Sequence, residues 1–129
     1  MGFGTPCPFL APMPGKEYDL EERTFQFAKH VRVLVKALPK TYGNLEDGRQ
    51  IIRSSGSVGA NYIEANEALG KKDFLMRLRI SRKEAKECAY FLRLIKELND
   101  QPIKTEAERL WNEAIELKKI LSTIILNSS

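Results

Sequence analysis

From Arg53 to Asn66 the chain reads Arg-Ser-Ser-Gly-Ser-Val-Gly-Ala-Asn-Tyr-Ile-Glu-Ala-Asn, a run crowded with small residues that still keeps a helical hydrophobic period. Glycine costs about 1 kcal/mol relative to alanine inside a helix. A helix carrying Gly56 and Gly59 must recover that loss elsewhere, and close approach to a neighbouring helix is the available way. The segment therefore predicts tight helix-to-helix packing. It names no chemistry.

The flanking patterns supply the rest of an all-α fold. A first helix is predicted from Asp19, an N-cap with Glu22 three residues on, and it aligns Phe27, Val31, Leu34 and Leu38 before Pro39 and Gly43 end it. A second starts near Asn44 and aligns Ile51, Ser55, Val58, Tyr62, Ala65 and Leu69, with a turn at Gly70. The third spans Lys72 to Leu98 and aligns Phe74, Leu78, Ser81, Ala85, Cys88, Leu92 and Ile95; the fourth aligns Ala107, Leu110, Ala114, Leu117, Leu121 and Ile124. Short connections make neighbours antiparallel, so the expected architecture is an up-down antiparallel four-helix bundle over residues 18–129. At 129 residues, 43% of them apolar, the chain suits one domain with a real core.

Residues 1–17 are different in kind. They hold four of the six prolines and no periodic pattern, and they read as a flexible leader. No basic stretch precedes a long apolar run, and nothing approaches the roughly 20 apolar residues of a membrane span, so a soluble, cytoplasmic protein is expected. The two cysteines, Cys7 in the leader and Cys88 on an apolar helical face, do not suggest a disulfide.

About the Gly70 turn, residues whose numbers sum to about 141 should share a height in the hairpin. That brings Glu64 to Arg77 and Asn61 toward Ser81. A partly buried Glu64–Arg77 pair with Asn61 beside it is expected to act as a structural clamp on helix register, since acid-base pairs of this kind are far more often ion pairs than catalytic ones.

Apolar residues also fall outside the core stripes. Ile80, Phe91, Leu94 and Leu98 form a second face on the third helix, and Trp111, Ile115 and Ile125 widen the fourth. Such surplus marks either a self-association interface or a wide core-facing sector. Opposite the core stripe of the third helix gather Lys72, Arg79, Arg82, Lys83, Lys86 and Arg93, with Tyr90 among them and Arg49 and Arg53 contributed by the second helix. A net charge of +4 fits either phosphate contact or a solvated face, and Glu84, Glu87 and Glu97 lie on or near the same surface.

Catalysis finds no support. His30 is the single histidine, beside charged residues and read as polar surface. There is no Cys/His cluster at metal spacing, no phosphate loop between strand and helix, and no nucleophile with a base, so neither cofactor nor metal is expected. A di-iron bundle would need histidines on two helices.

Three segments together resemble a known family: Ile52 to Ala65 with its Gly-Ser-Val-Gly-Ala-Asn and Glu-Ala signature, Lys72-Asp-Phe at the next helix, and Arg82 to Ile95. They resemble the bacterial four-helix-bundle proteins encoded within intervening sequences of 23S ribosomal RNA genes, over about residues 18 to 126. The resemblance implies a ring-like homopentamer. It also implies kinship with the accessory protein of diversity-generating retroelements, which binds nucleic acid through a basic pentameric barrel. On that footing the expected partners are further copies of the chain and structured RNA or DNA, the alternative being an oligomeric protein-interaction scaffold.

Overall fold

The computed structural model describes residues 19–129; the leader and Cys7 lie outside the described residues. Four helices follow in order: α1 (Leu20–Ala37), α2 (Tyr42–Asn66), α3 (Lys71–Leu98) and α4 (Ile103–Ser128). The described residues contain no strand.

Local chemistry sets the helix ends. Asp19 accepts from the Glu22 amide at 3.3 Å, with Glu21 and Glu22 against the positive end of the helix dipole. Leu38 leaves α1 in an extended conformation, as a residue before proline prefers. The α2 cap is Thr41, whose hydroxyl accepts from the Asn44 amide at 3.1 Å, so that helix begins ahead of the expected Asn44. Gly43 therefore belongs to its first turn and does not end α1.

Each helix turns its predicted stripe inward. Phe27, Val31, Ile51, Val58, Leu78, Cys88, Leu92, Ile95, Leu110, Leu117 and Leu121 are fully buried in one core. Burying a side chain of this size contributes about 1.5 to 3 kcal/mol. Two stripe assignments are corrected. Leu69 is fully exposed, because α2 stops at Asn66 and Leu69 sits in the turn. On α4 the buried residue of the last turn is Ile125, with Ile124 half-buried at the core edge, because a strict heptad drifts about 20° per repeat on a straight helix.

Side-chain contacts fix the topology. Asn44 and Asn99 tie the start of α2 to the end of α3, Arg23 meets Glu113 across α1 and α4, and Arg82 reaches Ser122 across α3 and α4. Neighbours thus run antiparallel around a closed square. Helix α3 packs extensively against both α2 and α4, while α1 is held more lightly by its neighbours.

The Gly/Ser/Ala run explains itself on both flanks of α2. Toward α3, Ser54 and Ser81 are wholly buried: Ser81 donates to the Val58 carbonyl at 2.7 Å, and Ser54 Oγ lies 3.1 Å from Cys88 Sγ. Toward α1, a Cβ on Gly59 would stand 2.9 Å from Thr24 Oγ1, and one on Gly48 would stand 3.0 Å from Val35 Cγ1. These two glycines are where close approach requires the absence of a side chain. Gly56 is looser, its nearest neighbour being the Arg32 guanidinium at 3.4 Å. Beside these contacts the α1–α2 seam opens into a groove of about 620 Å³.

Candidate nucleic-acid interface

Helix α3 presents Lys72, Arg79, Lys83, Lys86 and Arg93 to solvent. Their spacing of seven, four, three and seven residues keeps them within one sector of the helix, a stripe about 32 Å long at 1.5 Å per residue. Among the described residues none of the five takes part in an ion pair. Tyr90 stands on the same stripe, 62% exposed, its ring edge-on to Phe91 with centroids 5.2 Å apart. The stripe thus combines exposed cations with an aromatic face.

The remaining three predicted cations are differently employed. Arg53 is the clearest correction: its guanidinium is held by Glu84 at 3.4 Å and by Glu87 in a shorter contact, so it acts as a tie between α2 and α3. Both glutamates raise its already high pKa, Glu87 most. Arg82 is half-buried and donates to Ser122 Oγ at 3.4 Å, at the margin of the stripe. Arg49 pairs with Glu46 at 3.5 Å on an exposed turn of α2. The two glutamates that weakened the sequence pattern, Glu84 and Glu87, are therefore drawn toward Arg53 and away from the stripe. Glu97 remains exposed at its end, 3.8 Å from Lys96.

The expected Glu64–Arg77 pair is replaced by another arrangement. Arg77 donates to Asn61 Oδ1 at 3.2 Å and lies 3.9 Å from Asp73 one turn back on its own helix, while Glu64 is exposed in the last turn of α2. Ser81 meets Val58 and not Asn61. The height rule was sound; the direction of the side chains around each helix decided the partners.

Of the second apolar face on α3, Phe91 packs against the chain's own core together with Trp111 and Ile115 of α4, and Ile125 is buried. Ile80 and Leu94 are half-buried, and Leu98 is 73% exposed. The wide core-facing sector accounts for most of this surplus. Leu98 keeps company that the sequence did not single out: Tyr42 and Leu45, both exposed, flank the Asn44–Asn99 contact at the same end of the bundle.

Two polar contacts escaped the sequence. Arg23 grips the buried Glu113 with two bonds of 2.6 and 3.0 Å. Burial raises the Glu113 carboxyl above its ordinary range, opposed by the Arg23 hydrogen bond and charge. Asn44 and Asn99 exchange reciprocal amide bonds of 2.9 Å each. The only signal for the first was an acid bordering the α4 stripe; partners 90 residues apart leave none for the pairing itself. His30 is half-buried, not simple surface, with Nδ1 3.3 Å from the Arg109 guanidinium; burial, more than Arg109, lowers its pKa.

Cys88 is a buried free thiol pushed up to about 12 by burial, in spite of the Ser54 contact, which makes it inert. Among the described residues no group of His, Cys, Asp or Glu could hold a metal ion. No described helix is long and apolar enough to cross a membrane.

The family model of the 23S rRNA-intervening sequence protein matches residues 16–123, nearly the whole chain. The chain belongs to the 23S rRNA-intervening sequence protein family. A crystal structure of a protein of unknown function from Bacteroides thetaiotaomicron, described as from the S23 ribosomal protein family, superimposes with a TM-score of 0.72 at 32% identity. The match covers 82% of this chain and 97% of that one. No curated protein matches. For this chain the family and the bundle are thus established together, with the basic stripe lying on its best-packed helix.

Proposed function

We propose that this protein is a non-enzymatic, self-associating bundle that binds the phosphate backbone of structured RNA or DNA through the outer face of α3. The observation that carries the reading is the set of five exposed cations at Lys72, Arg79, Lys83, Lys86 and Arg93, outside any ion pair among the described residues, on a helix whose nearby acids are turned to Arg53. A solvated face usually intersperses its charges as local pairs. This stripe segregates them, and segregated cations give affinity without base readout, with Tyr90 available to stack on an exposed base. Self-association is supported by three exposed apolar side chains, Tyr42, Leu45 and Leu98, next in the chain to the Asn44–Asn99 contact at one end of the bundle.

Fluorescence anisotropy of the full chain against a hairpin RNA and a DNA duplex, titrated at several salt concentrations, tests the reading. Binding should weaken linearly on logarithmic axes with salt, and Arg79→Glu with Lys83→Glu and Lys86→Glu should abolish it while helix content is kept. Milder Ala replacements should each lower the duplex salt slope by about 0.9. Absence of binding at low salt would overturn the reading in favour of a protein-interaction scaffold. Light scattering on Tyr42→Asp with Leu98→Asp should show a smaller assembly than the parent; an unchanged mass would remove the end cluster as the contact.

A further inference from the structure

The groove between α1 and α2 is a second surface, built without any residue of the α3 stripe. Its apolar walls are Phe25, Ala28 and Val33 of α1 with Ala60 and Ile63 of α2. Phe25 and Val33 are 59% and 61% exposed and Ile63 45%, an unusual concentration of large apolar side chains along one seam. The α1 wall consists of rows at a spacing of four residues, Phe25, Lys29 and Val33 in one and Ala28, Arg32 and Lys36 in the other. Rows of this kind are the ridges against which a further helix packs. From Glu21 to Lys36 the groove follows about 22 Å of α1 at 1.5 Å per residue.

We propose that this groove seats one amphipathic α-helix of a separate protein, about four turns long, apolar along one stripe and acidic along one flank. Charge complementarity identifies the flank. Lys29, Arg32 and Lys36 line the groove on successive turns of α1, and none of them takes part in an ion pair among the described residues. The Arg32 guanidinium is fixed across the seam by the Ala28 carbonyl at 3.0 Å, the Ile52 carbonyl at 3.3 Å and Ser55 Oγ at 3.4 Å, all uncharged acceptors. Its charge is thus held in place at the groove with no acid to answer it. Among the described residues the one acid of the lining, Glu21, lies at the opposite end, where it accepts from the Asn66 side-chain amide at 3.1 Å. A partner helix with acids at i, i+3 and i+7 on the flank facing α1 would answer all three cations.

Backbone chemistry and depth select a helix over other occupants. Helical walls have used their backbone donors and acceptors internally, so an extended strand would bring amides with nothing to meet. A helix arrives with its own backbone already bonded. The groove is also shallow for its length, since Phe25 and Val33 keep more than half of their surface in water. A small ligand lying among them would stay largely wet, whereas a rod about 10 Å across covers Phe25, Val33 and Ile63 together. On the α2 side Gly56 keeps the wall low: a Cβ there would meet only the Arg32 end, at 3.4 Å, so the partner's axis can lie close to the seam. Binding here is independent of the α3 stripe.

The test uses a fluorescein-labelled synthetic peptide about 15 residues long, with Leu at i, i+3, i+7, i+10 and i+14, Glu along one flank of that stripe, and Ala and Gln elsewhere. At about 0.15 M salt, where distant charges are screened, its anisotropy should rise on titration with the full chain. A peptide of the same composition with its Leu out of helical period should not bind. Exchanging Glu for Lys in the peptide should weaken binding about tenfold, and Lys29→Glu with Lys36→Glu in the protein should reverse that preference. Phe25→Asp with Val33→Asp, both at exposed positions, should abolish binding with helix content and light-scattering mass unchanged. Arg79→Glu with Lys83→Glu and Lys86→Glu should leave the peptide bound, which separates the groove from the α3 stripe. Absence of binding, equal binding of acidic and basic peptides, loss of binding in the α3 variant, or displacement of the peptide by an equimolar amount of dodecanoate would overturn the proposal. A fall in mass on changing Phe25 and Val33 would overturn it too, by placing a second copy in the groove.

Discussion

Helix α2 has two long flanks, and they solve the same packing problem in opposite ways. Toward α3 the seam is sealed: Ser54 and Ser81 sit in it without solvent exposure, and Arg53 with Glu84 and Glu87, and Arg77 with Asn61, close its edge. Toward α1 an added Cβ would crowd Val35 at Gly48 and Thr24 at Gly59, yet Thr24 and Gly59 also line an open groove together with Gly56, Ala60 and Ile63. Small residues therefore do not by themselves mean a tight interface. They mean one where a polar hydroxyl finds a carbonyl or where a Cβ would collide, and elsewhere they leave room.

Four changes would break or sharpen that contrast. Arg23→Ala should have the largest effect, destabilising by about 3 kcal/mol in urea unfolding, because it strands the buried Glu113 and removes a main attachment of α1. Amide exchange in the variant should rise in α1 while the α2–α3 seam stays protected. Its pH dependence is also set. The Glu113 carboxyl titrates above its unfolded value, so between the two values the folded state binds more protons, and stability is present below the unfolded pKa and lost as pH rises through the folded one. Removing Arg23 takes away a stabiliser of the ionised form, so the variant should recover stability as pH is lowered from neutrality; a flat profile would contradict the assignment.

Gly59→Leu comes next, at about 2 kcal/mol, since the added side chain meets Thr24, which is itself pinned by bonds of 2.9 and 3.0 Å to the carbonyls of Leu20 and Glu21. On the sealed side, Ser81→Ala should cost about 1 kcal/mol through the lost bond to Val58. Gly56→Ala should be the smallest and of opposite sign, a gain of about 0.5 kcal/mol from helix propensity, because only the movable Arg32 end lies near. If Gly56 and Gly59 responded alike, the distinction between a contact and a groove wall on the α1 side would fail.

The helical period made the bundle legible, since inward residues repeat at fixed spacing and nearly every predicted core position is buried. It failed where local endings intervened, at Leu69 beyond the last turn of α2 and at Thr41, a cap lying before the apolar pattern starts. The cationic stripe on α3 was legible for the same reason as the core. What the sequence could not convey was which acids each arginine chooses. Arg53 turned from the stripe to Glu84 and Glu87, Arg77 took Asn61, and Arg23 found Glu113 on the far helix, all choices made by distances in space. The groove was invisible for a related reason: Gly56 and Gly59 look identical in the run, and only the position of Thr24 separates them.

The Asn44–Asn99 pair also bears on how this chain can vary. Each amide satisfies the other, and each is also bonded to a carbonyl, Asn44 to Pro39 and Asn99 to Ile95. Inserting or deleting one residue within α2 or α3 would rotate one partner by about 100° and leave buried amide groups without bonds. The pair works as a length gauge across the hairpin. Relatives should therefore differ in length at the turns and the chain ends, while residues gained or lost inside α2 or α3 should come with a compensating change or with the loss of both asparagines.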